Sequence, residues 1–155
     1  PRNQRVDVTA TALPRLNVDP VLLRQVILNL ITNAGKYSPD GSTIHVEIEL
    51  VDDPVVYSVR DNGFGIPAEQ RGLVFTKFFR ADNILHRQTD GNGLGLAMAA
   101  SIIEEHGGSL ALEDAPVFDG ASHAGAMAVV RLPLGLAPAR PAHMTRVITE
   151  LEGQT

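Results

Sequence analysis

The chain has 155 residues, about the length of one domain, and can bury roughly two thirds of its unfolded surface around a single core. It contains no cysteine, which excludes disulfides, thiolate metal ligands and a cysteine nucleophile. The net charge of −5 has the wrong sign for neutralising nucleic-acid phosphates, so we expect no nucleic-acid partner. The longest nearly apolar stretch, residues 93 to 103, is shorter than the roughly 18 residues that cross a bilayer, and we expect no membrane segment in this chain.

The first predicted elements are a strand and a long helix. Val6, Val8 and Ala10 alternate with polar residues, which predicts a half-buried strand, and the segment around residues 16 to 18 is compatible with a second extended piece. Asp19 followed by Pro20 is a typical helix start. Apolar residues then recur at helical spacing, which predicts a helix over residues 20 to 37 that ends at a turn cluster.

A β-hairpin follows, because two alternating segments, residues 44 to 50 and 55 to 59, flank the turn Asp52-Asp53-Pro54. Residues 61 to 93 have no sustained period apart from a short helical piece near 67 to 74, and we interpret them as a functional loop. Helical spacing resumes from residue 94 to His106 and is stopped by Gly107-Gly108. Alternation near residues 110 to 112 and 126 to 132 predicts two more strands.

These elements predict an α+β fold, a two-layer α/β sandwich with a mixed, mostly antiparallel sheet and helices on one face. We assign residues 1 to 135 to this domain. After residue 135 the composition shifts to Ala, Pro and Arg, so we expect residues 136 to 155 to be a flexible C-terminal tail. Within that tail, residues 147 to 151 are compatible with one marginal helical turn.

A polar stripe lies along the first long helix. Asn29, Asn33 and Lys36 fall within about 60° of one another on the helical wheel, beside the apolar face. Asparagine is unfavourable inside a helix because its side chain competes for backbone hydrogen bonds. A magnesium ion would explain the stripe, since an amide oxygen can occupy one corner of its octahedron while Lys36 meets phosphate charge. A partly solvated helix flank is the alternative interpretation of the stripe alone.

Two glycine-rich segments are the other candidates for chemistry. Asp61-Asn62-Gly63-Phe64-Gly65-Ile66 directly follows a strand. Its Asn-Gly pair alone indicates a turn, but the two glycines also let backbone approach a planar ligand, and a carboxylate suits an exocyclic amine such as that of adenine. Gly91-Asn92-Gly93-Leu94-Gly95-Leu96 opens a helix, where unpaired N–H groups attract phosphate. Its spacing matches neither the dinucleotide fingerprint nor the P-loop.

Taken in order, these segments resemble the catalytic and ATP-binding domain of bacterial sensor histidine kinases. That family belongs to the wider Bergerat-fold group, which includes gyrase, mismatch-repair and chaperone ATPases. Residues 29 to 38 resemble its asparagine box, residues 61 to 66 and 91 to 96 its two glycine boxes, and residues 75 to 80 its phenylalanine box. His106-Gly107-Gly108 after the last helix is also typical of the family. The resemblance runs from about residue 18 to 132 and implies the Bergerat ATP-binding fold.

The resemblance implies that Asn29, Asn33 and Lys36 are the catalytic residues of the asparagine box. Asn33 would bind magnesium, Asn29 would support the ion or its water, and Lys36 with Tyr37 would contact phosphate or ribose. ATPases of the group carry Glu at the position of Asn29. An amide cannot take a proton at neutral pH, so the resemblance favours a kinase over a clamp ATPase and over the related serine kinases.

The remaining implied contacts are with the base and the phosphates. Asp61 would accept a hydrogen bond from the adenine amine, while Gly63 and Gly65 would leave room for the ring. Arg80 and Arg87 would be phosphate cations of a mobile lid over residues 80 to 92, which Phe75, Phe78 and Phe79 would anchor. The full set of expected nucleotide contacts beyond the asparagine box is Asp61, Gly63, Gly65, Ile66, Phe79, Arg80, Arg87, Gly91, Asn92, Gly93, Leu94, Gly95 and Leu96.

The implied function is transfer of the ATP γ-phosphate, with Mg²⁺, to a histidine on a separate dimerisation domain in two-component signal transduction. None of the five histidines matches the family's acceptor, so we expect one domain of a longer protein histidine kinase. Its partners would be the dimerisation and histidine-phosphotransfer domain of its own kinase and, through it, a response regulator. We expect a cytoplasmic domain that is monomeric in isolation, whether or not the parent kinase is membrane-anchored. A nucleotide-binding interaction module without catalytic use stays open as the alternative.

Overall fold

The structure is a computed structural model that describes residues 3–79, 93–117 and 125–135. Its elements are β1 (Arg5–Ala10), α1 (Pro20–Tyr37), β2 (Thr43–Leu50), β3 (Val55–Arg60), two short 3₁₀ helices (Ala68–Gln70 and Leu73–Phe75), α2 (Gly95–Glu105), β4 (Ser109–Asp114) and β5 (Ala126–Leu132). The main predicted helices and strands are therefore confirmed. The helical piece near residues 67 to 74 is two 3₁₀ helices, and residues 16 to 18 form no strand. The predicted tail lies outside the described residues.

The five strands form one sheet in the order β1-β2-β3-β5-β4. β1 pairs with β2 in parallel, and every other pair is antiparallel. The parallel pair is possible because α1 connects the two strands as a crossover. This topology confirms the predicted mixed, mostly antiparallel sheet. It also places the C-terminal end of β3 beside the start of β5.

Helix α1 begins and ends at side-chain caps. Asp19 Oδ1 accepts hydrogen bonds from the backbone N–H of Val21 at 2.9 Å and of Leu22 at 3.2 Å. These are two of the donors that a helix start leaves unpaired, and Pro20 has none to satisfy. At the other end, Gln4 Nε2 lies within hydrogen-bond distance of three carbonyl oxygens, those of Gly35 (2.9 Å), Ser38 (3.2 Å) and Pro39 (3.1 Å).

A single hydrophobic core lies between the two helices and one face of the sheet. The largest fully buried side chains are Val26 of α1, Ile103 of α2 and Val130 of β5, so both layers contribute to it. This arrangement confirms the two-layer sandwich with helices on one face. No helix among the described residues is both long and apolar enough to cross a membrane.

The prediction that β1 is half-buried is wrong. Val6 and Val8 are 45% and 62% exposed, although they lie in register with Ile44 and Val46, which are only 2% and 3% exposed. A helix is about 10 Å wide and strands lie about 4.8 Å apart, so one helix covers about two strands. Helix α1 packs on β2 and β3, and α2 packs on β4. The two described helices can therefore cover about four of the five strands, and they leave the edge strand β1 uncovered.

Candidate functional site

A cavity of about 240 Å³ opens between α1, the end of β3 and the start of α2. The predicted site residues that line it are Asn29, Asn33, Lys36, Tyr37, Asp61, Gly63, Gly65, Ile66, Phe79, Gly93, Gly95 and Leu96. The structure thus brings the polar stripe of α1 and both glycine-rich segments to one place. Leu94 is described but does not line the cavity. Arg80, Arg87, Gly91 and Asn92 lie outside the described residues, as does the rest of the predicted lid.

Asp61 is a buried carboxylate in the cavity wall, with 7% of its surface exposed. Its Oδ1 atom accepts hydrogen bonds from the backbone N–H of Gly63 at 2.8 Å and of Ala126 at 3.0 Å. Burial raises the pKa of Asp61 above its ordinary value, and these two hydrogen bonds oppose the rise. The Oδ2 atom makes no hydrogen bond within the described part of the chain. Asp61 is therefore a fixed acceptor, and none of the described residues occupies its second oxygen.

Two glycines beside Asp61 are required by close backbone contacts. A Cβ atom on Gly63 would collide with the backbone carbonyl of Tyr37 and would lie 2.9 Å from Asp61 Oδ1. A Cβ atom on Gly125 would collide with the carbonyl of Asp61 itself. Sequence reasoning assigned Gly63 only to making room for a ring and missed Gly125. Both positions instead hold the strand end against its neighbours, which fixes the carboxylate.

The two asparagines of α1 differ in their surroundings. Asn29 Nδ2 donates to the carbonyl oxygen of Gly95 at 3.3 Å, so this side chain joins α1 to the first residue of α2. The Asn33 side chain makes no hydrogen bond within the residues that the structure describes, and it lines the same cavity. The Asn33 amide therefore lines the cavity without a hydrogen-bond partner among the described residues.

The described residues contain no group of three His, Asp or Glu side chains that could hold a metal ion. An octahedral Mg²⁺ does not need such a group, because it keeps several waters and binds through one or two protein oxygens plus substrate phosphates. The amide oxygen of Asn33, which lines the cavity, fits that requirement. Neither His45 nor His106 lines the cavity, and the other three histidines lie outside the described residues.

The cavity rim near Phe78 and Gly93 has left-handed backbone, which is unfavourable for phenylalanine and ordinary for glycine. Phe78 has φ +65° and Gly93 has φ +68°, both in the left-handed region. The Phe78 backbone N–H donates to the Gly93 carbonyl at 3.1 Å, and a Cβ on Gly93 would lie 2.8 Å from the Phe79 carbonyl oxygen. Phe78, one of the three phenylalanines expected to anchor the lid, is 73% exposed, so it does not do so by burial against the described residues. The buried apolar residue of this stretch is Val74.

Sequence reasoning missed the apolar floor of the cavity. The additional apolar lining residues are Leu30, Ala34, Val59, Phe64, Val74, Leu112, Ala126 and Ala128, and the polar Thr32 also lines the cavity. Most of them occupy inward-facing positions of α1, β3, β4 and β5, where hydrophobic periodicity marks a residue as core. Their position in the sequence was the signal that could have identified them. Val59, for example, lies two residues before Asp61, so both side chains lie on the same side of the extended chain at the end of β3.

Comparison with known proteins identifies relatives of the same architecture. Residues 18–136 match the family described as "Histidine kinase-, DNA gyrase B-, and HSP90-like ATPase". The circadian input-output histidine kinase CikA of Synechococcus elongatus is 36% identical over 111 residues, which are 72% of this chain and 14% of that protein. The chain thus spans a small part of this curated relative.

Solved structures agree with that match. The mycobacterial sensor histidine kinase MprB superposes with a TM-score of 0.72 at 31% identity, covering 84% of this chain and 82% of the other. Full-length ShkA in complex with AMPPNP superposes with a TM-score of 0.69 at 27% identity, covering 89% of this chain and 27% of the other. The fold is therefore that of proteins that are named as histidine kinases.

Proposed function

Because this chain belongs to the family of histidine kinase-, DNA gyrase B- and HSP90-like ATPases, and its relatives are sensor histidine kinases, we propose how its cavity performs that chemistry. The cavity binds ATP with Mg²⁺ and presents the γ-phosphate to a histidine on a separate domain of the same kinase. One observation carries the proposal: a buried carboxylate held by two backbone N–H groups, an asparagine amide and the start of α2 line one cavity.

The adenine end of the site is Asp61. Two backbone N–H groups donate hydrogen bonds to its Oδ1, and Oδ2 accepts a hydrogen bond from the exocyclic amine of the base. Guanine presents a carbonyl oxygen at that position, which would leave a buried carboxylate facing another acceptor. The apolar floor, which includes Val59 and Ala128, contacts the faces of the ring. Specificity for adenine therefore follows from a carboxylate that backbone hydrogen bonds hold in one orientation.

The phosphate end of the site combines α1 and the start of α2. Asn33 supplies an oxygen to Mg²⁺, Lys36 pairs with phosphate charge, and the N–H groups at the start of α2 add a positive dipole end. When bound, the ion neutralises charge that develops on the phosphate oxygens. The related ShkA structure contains AMPPNP, which supports nucleotide binding in a cavity of this fold.

Asn29 favours phosphotransfer over hydrolysis. Its amide cannot accept a proton at neutral pH, and its nitrogen is already engaged by the Gly95 carbonyl. Loss of a general base typically costs about 10²- to 10⁴-fold in rate, so water attacks the γ-phosphate slowly. The γ-phosphate is thereby kept for another acceptor. We propose the dimerisation domain of the parent kinase as that acceptor, a response regulator as the next, and the cytoplasm as the compartment.

The test is transfer from γ-labelled ATP to a separately supplied dimerisation domain of the parent kinase. We expect label on that domain only when this chain is present, with the acid lability of a phosphoramidate. A variant of the acceptor domain without its histidine serves as the control. Binding of ATP without any transfer would support the alternative, a nucleotide-binding interaction module, and would contradict the kinase assignment.

A further inference from the structure

Helices α1 and α2 run antiparallel and are joined by three hydrogen bonds along their length. Asp19 N–H at the start of α1 donates to His106 Nε2 at the end of α2, at 3.0 Å. Asn29 donates to the Gly95 carbonyl at 3.3 Å, at the opposite end of the pair. Between them, Gln25 Nε2 lies 3.0 Å from the sulfur of Met98. These contacts thus fix the position of each helix along the axis of the other.

The hydrogen bonds of His106 determine which ring nitrogen carries its proton. A backbone N–H can only donate, so Nε2 must accept from Asp19 and cannot itself be protonated. Nδ1 lies 2.7 Å from the carbonyl oxygen of Ile102, which can only accept. Nδ1 therefore carries the hydrogen, and the ring is the neutral Nδ1–H tautomer.

The two glycines after His106 hold the ring in place. Gly107 has φ +73° and donates to the Glu104 carbonyl, while Gly108 donates to the Ile103 carbonyl, which is the Schellman pattern of a helix end. A Cβ on Gly108 would collide with the backbone carbonyl of Arg131 in β5. The helix end is thereby fixed against the sheet, so His106 projects from a rigid base.

We propose that His106 is a positioning residue of the nucleotide site, acting through α1. Asn29 is ten residues after Asp19, a distance of about 15 Å along a helix, so a helix held at Asp19 transmits its position to the cavity as a rod. The hydrogen bond from Asp19 to His106 therefore determines the position of Asn29 relative to Gly95. It also determines the position of Asn33, which lies one helical turn after Asn29. This inference rests on the proposed function, because the affected contacts are those with the phosphates and Mg²⁺.

Two substitutions of similar polarity separate this role from general stability. In His106→Gln, the amide oxygen reaches the place of Nε2 and can accept from Asp19. In His106→Asn, the shorter side chain reaches only the place of Nδ1, so the local bond to Ile102 is retained and the bond to α1 is lost. Each variant keeps one of the two hydrogen bonds, and only the bond between helices is expected to matter for ATP.

The experiment measures the affinity of the parent and both variants for Mg²⁺–ATP and for adenosine by calorimetry. Loss of one hydrogen bond corresponds to about a fivefold change in an equilibrium constant. We therefore expect His106→Asn to bind Mg²⁺–ATP about fivefold more weakly than the parent and His106→Gln to stay within about twofold. Adenosine, which Asp61 holds from β3, should bind equally to all three, and that equality also shows that both variants are folded.

Nitrogen-15 NMR of the parent supplies a second, independent readout. We expect two-bond couplings that show the hydrogen of His106 on Nδ1. A parent with the hydrogen on Nε2, or equal Mg²⁺–ATP affinity of the two variants, would overturn this inference alone. A parent that binds adenosine but gains nothing from the phosphates and Mg²⁺ would overturn the proposed function as well.

Discussion

Asp61 and Ala126 are joined twice, although 65 positions separate them in the chain. The Asp61 backbone N–H donates to the Ala126 carbonyl at 2.9 Å, and the Ala126 N–H donates to the Asp61 carboxylate at 3.0 Å. The first bond fixes the Asp61 backbone against the start of β5, and the second fixes its carboxylate. A buried carboxylate is costly unless hydrogen-bond donors compensate it, and the backbone donors of the described residues reach only Oδ1, which leaves Oδ2 as an acceptor for a ligand.

We expect Asp61→Asn to weaken ATP binding by at least about tenfold while the fold is preserved. The amide can still accept from Gly63 and Ala126 through one oxygen, but its nitrogen then faces the adenine amine, donor against donor. Titration calorimetry with ATP and GTP measures the effect, and Asp53→Asn in the exposed β2–β3 turn is the matched control. Equal affinity of the parent for the two nucleotides would refute the assignment.

The pH dependence of stability has a defined sign. Burial raises the pKa of Asp61 in the folded chain above its ordinary value of 3.8, so the folded state holds a proton that the unfolded chain has released. Stability of the ligand-free domain therefore falls as pH rises from 3.8 through the raised pKa. Asp61→Asn lacks this loss. Denaturant unfolding should show the stability of the variant rising relative to that of the parent as the pH increases from 3.8 through the raised pKa of Asp61. A difference that does not change with pH would contradict the expectation.

We expect Asn33→Ala to lower the affinity for ATP only when Mg²⁺ is present. The side chain has no hydrogen bond within the described residues to lose, so truncation removes an oxygen for the ion and little else. Calorimetry with Mg²⁺ and with a chelator gives the comparison. Leu28→Ala, at an exposed position of the same helix and outside the cavity, is the control. An equal loss in both solutions would show that Asn33 contacts the nucleotide directly or supports the fold.

Matched valines of neighbouring strands test the uncovered edge of the sheet. Val8→Thr should change the free energy of unfolding by less than about 0.5 kcal/mol, because the side chain is 62% exposed. Val46→Thr, in register with it on β2, places a hydroxyl where only 3% of the residue is exposed and should cost about 1 to 3 kcal/mol. Urea unfolding measures both. A large cost at Val8 would mean that this face is covered in solution.

Local sequence signals were sufficient where a short segment determines the outcome. The cap at Asp19 and the proline after it predicted the start of α1, and alternation predicted the β2–β3 hairpin. The three motif segments also met at one cavity, as the resemblance implied.

Signals of this kind failed where the outcome depends on distant segments. Burial of β1 depends on how many helices cover the sheet, which alternation in Val6 and Val8 does not encode. The need for glycine at position 125 arises from the carbonyl of Asp61, which approaches it from another strand. The left-handed backbone of Phe78 is set beside Gly93, and nothing in the local sequence marks a phenylalanine for that conformation.

The last prediction concerns hydrolysis by this chain alone. With saturating Mg²⁺–ATP, we expect slow release of phosphate, no stable label on the chain, and less than about a threefold change in that slow rate in Asn29→Ala. Removal of a working base would instead cost about 10²- to 10⁴-fold. The same variant should bind ATP more weakly, because the hydrogen bond that joins Asn29 to Gly95 is lost. Phosphate release and equilibrium binding are measured separately on the same preparation, with the parent as reference. A collapse of the rate in Asn29→Ala would make this residue part of a hydrolytic mechanism and would place the chain among the ATPases of its family.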